Sequence, residues 1–378
     1  MDATTAAQPF TIDISADTLA DLRARLRRTR WPDPAPRPAW HSGMDSDLLA
    51  ALVAHWADGF RWDRVQADLN RLPHFLAPVD GLDVHFVHCR ADAADGVPVL
   101  ALHGWPATFV QMTRLIPLLT APRPGAGRAR DVVVPSLPGF GFSARPGEPG
   151  WNIDAIARAM HRLMTGVLGY HRYAVRGSDF GLAVALRLGA LYPRHVAGVH
   201  VGGTHLRVDE VPGDLTGAER TFVAAARAWY AEEGGYIDIQ STKPQTLGHA
   251  LADSPAGLLA WIVEKHRTWC ARPADLLSVF SPDDLLTTAT VYWATNTVTS
   301  SLRLYQEERI SPAPHDPVAV PLAVSQPAEE EYRTPVEWWE RRHPVARYSV
   351  LPGAGHFPEW EAPRALAADL HAFLAALD

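Results

Sequence analysis

The chain has 378 residues, 47% apolar and 20% charged, enough to bury an extended core in an ordinary globular protein. Its net charge of −7 is modest and mixed along the chain, which argues against a nucleic-acid groove or an anionic-membrane patch. Its two cysteines, Cys89 and Cys270, fall in no metal-ligand or disulfide spacing, and Met1 to Thr5 lack the basic start and apolar run of a secretory signal. A cytoplasmic protein without a metal or membrane span is therefore expected, since no apolar run approaches the ~20 residues that a span needs.

Residues 1–93 read as an amino-terminal extension. Ser15 caps an expected helix over 17–28 with Leu19, Leu22 and Leu26 on one face, and a second helix over 46–60 groups Leu48, Leu49, Leu52 and Trp56. The runs Phe75–Val79 and Leu82–Cys89 flank Asp80-Gly81, a strong hairpin signal. This extension is expected to pack and to support a lid rather than to carry chemistry.

From Val97 short apolar strands alternate with helices, the pattern of a mostly parallel sheet with helices on both faces. Strands are expected over 97–102, 131–135, 173–176 and 196–201, with helices over 109–119 and 153–168. Residues 94–203 thus form the first part of an α/β core. Between 204 and 310 only helical patterns occur, over 218–233, 247–270 and 282–306. Strands return over 318–324 and 348–351, and a helix over 364–377 closes the second part of the core, 311–378. A helical insertion so late in an α/β chain lies over the carboxyl ends of the strands, where ligands bind, and acts as a cap.

The chemistry gathers around Tyr173-Ala174-Val175-Arg176-Gly177-Ser178-Asp179-Phe180-Gly181. A strand runs into a glycine-flanked turn and a helix leaves it, so Asp179 sits at the apex of a strand-turn-helix elbow. Such an Asp can instead be a plain helix cap. Three further features fall in the order that an elbow nucleophile needs. His103-Gly104-Trp105-Pro106 follows the first core strand, where a backbone N–H completes an oxyanion hole with that of Phe180. Glu329-Glu330-Glu331 follows the strand over 318–324 and supplies an acid; Gly355-His356-Phe357 puts a histidine after the last strand. Each has a bland alternative, a solvated acidic face or one of 17 ordinary histidines, but their joint order favours a catalytic set.

These motifs, with Phe10-Thr11-Ile12, Trp31-Pro32 and above all the cap stretch from Gly235-Tyr236-Ile237-Asp238-Ile239-Gln240 through Thr242-Lys243-Pro244 to Asp253-Ser254-Pro255, resemble the epoxide hydrolases of the microsomal and juvenile-hormone type along essentially the whole chain. The resemblance implies an α/β-hydrolase fold with an amino-terminal extension, no cofactor, and a small-molecule epoxide as substrate. Position by position it makes Asp179 the nucleophile, His356 the base and Glu330 the acid that orients the base. Tyr236 and Tyr305 become the two cap tyrosines that activate the epoxide oxygen. Trp105 and Phe180 give the oxyanion N–H groups, and His103, Gly104 and Pro106 are expected to border the substrate pocket. Phe180 stands where many relatives have tryptophan, and Asp238 where some have histidine. The acids flanking Glu330 leave the choice within the triplet open. The family's range implies aryl or alkyl epoxides, or secondary-metabolite epoxides, in detoxification or biosynthesis; a homodimer is possible.

The residue types suit that chemistry. A serine oxygen would give an ether, whereas a carboxylate gives an ester that a second step can hydrolyse. A tyrosine, protonated at neutral pH, can donate to the leaving alkoxide. Haloalkane dehalogenases share the Asp nucleophile but need indole or amide donors for halide, and the two tyrosines favour oxygen. Ser178 as an esterase nucleophile sits off centre in the elbow. A silent, ligand-binding hydrolase fold is the remaining alternative.

Overall fold

Nine strands build one sheet: β1 (Gln8–Phe10), β2 (His74–Val79), β3 (Leu82–Cys89), β4 (Val99–Leu102), β5 (Val132–Pro135), β6 (Tyr173–Ser178), β7 (Val196–Gly202), β8 (Leu322–Pro327) and β9 (Val345–Leu351). They belong to a computed structural model that describes residues 6–92, 94–121, 125, 127–203, 211–330 and 332–378. The spatial order is β1-β2-β3-β5-β4-β6-β7-β8-β9. The first three strands and the β3–β5 pairing are antiparallel, and every later pairing is parallel. Strands β4 to β8 are buried along their length, as unalternating Val-, Leu- and Ala-rich strands covered on both faces must be. The chain runs from β4 outward to β5, then returns to lay β6 on the other side of β4. That reversal opens a crevice at the carboxyl ends of β4 and β6.

The hairpin expected around Asp80-Gly81 is present: Val79 pairs Leu82, and both turn residues have positive φ, 53° and 82°. Its strands are not a separate unit, because β3 pairs Phe86 with Pro135 through Cys89 with Val132 and so extends the main sheet. Strand β1 and the helix Trp62–Leu69 were not read from the sequence; β1 spans only three residues, too few to show a period.

Other differences follow backbone chemistry. The region expected as one helix over 109–119 is a 3-10 turn, Phe109–Arg114, and a short helix, Ile116–Thr120, with Pro117 in its first turn. The apolar run over 247–270 breaks at Ser254, which caps Pro255–Trp269, because a residue before proline is steered out of the helical region. The run over 282–306 breaks at Asn296, left-handed with φ 51°, between Pro282–Thr295 and Val298–Ile310. Strand β8 begins at Leu322 rather than Val318, since Pro317 and Pro321 offer no N–H to a ladder.

The helices Gly217–Glu233, Gly235–Thr242, Pro244–Asp253, Pro255–Trp269, Pro282–Thr295 and Val298–Ile310 lie between β7 and β8 in the chain, and Tyr236, Trp269, Tyr292 and Tyr305 from four of them meet the segments that follow β4, β6 and β9. The amino-terminal helices hold them from outside. Trp56 Nε1 donates to Thr290 Oγ1 at 2.9 Å, Arg25 binds Asp253 at 2.7 Å, and His55 meets Asp283 at 2.7 Å. Thr204, at the expected start of the cap, lies outside the described residues. Among those described, no helix is long and apolar enough to cross a membrane.

Candidate active site

The elbow forms because only glycine fits on either side of Asp179. A Cβ on Gly177 would lie 2.1 Å from the Gly181 carbonyl oxygen, and one on Gly181 would lie 2.3 Å from that of Leu102. Between them Asp179 has φ 52° and ψ −126°, a conformation that costs an L residue about 1–3 kcal/mol and persists only when its surroundings enforce it. The helix Phe180–Leu191 leaves directly, and Asp179 caps it as well as projecting from it.

Both readings of Asp179 are thus realised on one oxygen. Oδ1 accepts from Phe180 N–H at 2.7 Å and from Trp105 N–H at 2.8 Å. The loop after β4 comes this close because residue 104 is glycine: a Cβ there would lie 2.1 Å from Asp179 Oδ1. Oδ2 stands 3.4 Å from His356 Nε2, within ion-pair range, yet Nε2 is not aligned for a hydrogen bond.

His356 follows β9 and turns its other nitrogen, Nδ1, toward Glu330 Oε1 at 3.4 Å. Gln326, the last residue but one of β8, donates from Nε2 to Glu330 Oε2 at 2.9 Å and fixes the carboxylate. Glu329 is exposed, with its backbone N–H on Ala354 O, so it is Glu330 that faces the histidine; Glu331 lies outside the described residues. Burial opposes a charge on His356, but the flanking Asp179 and Glu330 carboxylates outweigh it and push its pKa up to about 10.

Tyr236, in the helix Gly235–Thr242, and Tyr305, in Val298–Ile310, meet above Asp179 from two cap helices. Their rings lie 6.0 Å apart, nearly perpendicular to each other. Trp105 stacks on Tyr236 at 5.6 Å and meets Tyr305 edge-on at 5.9 Å, while Phe180 packs on Tyr305 at 4.7 Å. Burial, reinforced by the Asp179 charge, holds both phenols well above their ordinary pKa, so both keep their protons at any working pH.

Asp179, Phe180, Tyr236, Tyr305 and His356 border one cavity of about 430 Å³, which Leu182, Ala183, Leu186, Arg187, Ile237 and Asp316 also line. His103, Gly104 and Pro106 do not border it, contrary to expectation. His103 is fully buried and, with burial driving its pKa down to about 4, is neutral; its Nε2 accepts from Leu137 N–H at 3.1 Å and ties two loops together. Gly104 serves by its missing side chain. No group of three His, Cys, Asp or Glu among the described residues could hold a metal ion.

Several supporting residues escaped sequence reading. Arg176 and Glu359, both fully buried, pair at 2.9 Å beneath the elbow, and Glu359 also accepts from Ser178 Oγ at 3.2 Å and Gln111 Nε2 at 2.6 Å. An arginine inside a buried strand was the available signal, since such a charge requires a partner. Lys265 holds its ammonium 4.9 Å from the centre of the Tyr236 ring.

An elbow at the sheet's reversal point, with an acid and a histidine just after the last two strands, defines an α/β-hydrolase. Residues 7–112 match the family model described as epoxide hydrolase N terminus, and 97–233 that of the alpha/beta hydrolase fold. A Stigmatella aurantiaca relative is 38% identical, covering 96% of this chain and 83% of that one. Epoxide hydrolase 1 of Sus scrofa is 32% identical over 98% of this chain and 89% of its own. The crystal structure of juvenile hormone epoxide hydrolase from the silkworm Bombyx mori superposes with a TM-score of 0.91 at 28% identity, covering 99% and 95% of the two chains. The chain belongs to the epoxide hydrolase family.

Proposed function

We propose that this enzyme converts a small-molecule epoxide and water to a vicinal diol through an alkyl ester on Asp179. The observation that carries this reading is the division of labour on the Asp179 carboxylate. Oδ1 rests in a two-N–H hole, and Oδ2 stands at the cavity end shared with two protonated phenols.

In the first step Oδ2 attacks an epoxide carbon and the carbon–oxygen bond breaks, while Tyr236 or Tyr305 gives the departing oxygen its proton. Esterification removes the Asp179 charge, and with it a main reason for His356 to stay cationic. His356 therefore yields a proton that makes good the one taken from the tyrosine. Neutral Nε2 then removes a proton from water as that water attacks the ester carbonyl. Negative charge gathers on Oδ1, already between the Trp105 and Phe180 N–H groups, which need no reorganisation to bind it. Collapse breaks the bond between Cγ and Oδ2, the departing alkoxide takes the remaining proton of the added water to complete the diol, and the Asp179–His356 ion pair is restored. Glu330 keeps the imidazole turned and stabilises its cation.

The apolar flank of the cavity, Ile153, Leu182, Ala183, Leu186 and Ile237, suits a compact aryl or alkyl epoxide. His356→Ala tests the scheme: incubated with styrene oxide, the folded variant should accumulate protein heavier by one substrate, with the added mass on the Asp179 peptide. Diol release at the wild-type rate, or an adduct elsewhere, would remove these residues from their roles.

A further inference from the structure

The histidine loop is fastened at two carboxylates, and only one of them, Glu359, reaches the elbow. The other is Glu361, at the end of the short helix Pro358–Glu361. Its Oε1 accepts from Phe357 N–H at 2.9 Å, and its Oε2 from Ala271 N–H at 2.6 Å. Ala271 lies two residues beyond the cap helix Pro255–Trp269, so this side chain joins the base's loop to the cap. The same seam is closed by backbone. His356 N–H donates to Trp269 O at 2.8 Å. Gly355 lies so close that a Cβ there would stand 2.5 Å from Ala271 N and 2.6 Å from Trp269 O. The Trp269 ring lies 5.0 Å from the imidazole.

We propose that Glu361 is a positioning residue for His356, a carboxylate clamp that seats the base's loop on the end of cap helix Pro255–Trp269 and so holds Nε2 in line for the water of the second step. Glu361 does not border the cavity and touches no reacting atom. Burial raises the Glu361 pKa, and the N–H groups of Ala271, Phe357 and Gly355, with the nearby imidazolium of His356, oppose that rise. The proposal rests on His356 being the base of the hydrolytic step.

An amide at this position keeps the shape but sets an NH₂ against one of the two N–H groups. In Glu361→Gln, single-turnover alkylation by excess styrene oxide should stay within about twofold of wild type, while ester hydrolysis slows by about tenfold or more, the scale of a lost charge-assisted hydrogen bond. The acid limb of the hydrolysis rate should move to lower pH, because an anion beside His356 is gone. Glu361→Asp keeps the charge but is a methylene too short to span both N–H groups, so it should slow the same step without that pH shift; it also serves should the amide variant fail to fold. Equal slowing of both steps, or no slowing of hydrolysis in either folded variant, overturns the proposal. His356→Ala run alongside separates the levels: if it too hydrolyses its ester normally, the mechanism itself fails, whereas a stalled His356→Ala beside an unaffected Glu361→Gln rejects the clamp alone.

Discussion

His356 is held cationic in the free enzyme by the carboxylates beside it, and this dependence fixes how the two half-reactions respond to pH. The His356 pKa is raised to about 10 in the free enzyme by Asp179 and Glu330, against burial. Alkylation needs ionised Asp179 and protonated tyrosines, so its rate should stay flat from neutral pH up to the region of 10. Once the ester forms, Asp179 no longer supports the imidazolium, and the hydrolysis rate should rise with pH through a midpoint well below 10. Stopped-flow rates of the two steps check this, and a shared midpoint would contradict that dependence. The same shift has a sign for stability. A raised histidine pKa contributes in full below its unfolded value, near 6.5, and that contribution is lost as pH rises through about 10. His356→Ala should therefore cost most at low pH, and its Tm difference from wild type should narrow toward alkaline pH.

Among the structural elements, the elbow and the loop after β4 act as a pair, made possible by three glycines. Gly177 and Gly181 are legible in the sequence, because a glycine on each side of an acid between strand and helix has few other uses. The reason for Gly104 becomes visible only when β4 and β6 are neighbours, 74 positions apart at Trp105 and Asp179. Gly104→Ala places a methyl 2.1 Å from Asp179 Oδ1, on backbone that cannot retreat without losing the Trp105 N–H. The expected outcome is a fall in kcat of about a hundredfold, the scale of one lost oxyanion donor, with KM little changed and a stability cost of about 1–3 kcal/mol. Steady-state kinetics and a thermal melt measure both. An alanine variant with full activity would show that the two elements can separate without harm.

For the whole molecule, the alternation of strands and helices and the all-helical stretch before β8 conveyed the architecture, because buried parallel strands and amphipathic helices differ in hydrophobic period. Asp179, His356 and the acidic triplet were legible for a related reason: each follows a strand, which is where this topology gathers side chains. Pairings between distant segments were not. Arg176 meets Glu359 across 183 positions, and Trp56 meets Thr290 across 234, contacts that no local pattern encodes. Nor could composition reveal that the amino-terminal hairpin is continuous with the main sheet while its preceding helices brace the cap. His103 misled because a histidine beside an active-site loop looks chemical, whereas its ring serves as a buried, neutral acceptor for Leu137 N–H.

The two-pronged grip on Oδ1 gives the enzyme an isotopic memory. In the mechanism proposed above, the diol carries away Oδ2 in each cycle and the solvent oxygen takes its place, while Oδ1 stays pinned by Trp105 and Phe180. Through many cycles in heavy-oxygen water the peptide bearing Asp179 should therefore gain one heavy atom and then stop, the second oxygen remaining the one installed when the chain was made. Continued gain to two would mean that the carboxylate swivels between cycles and that the grip is looser than the geometry describes.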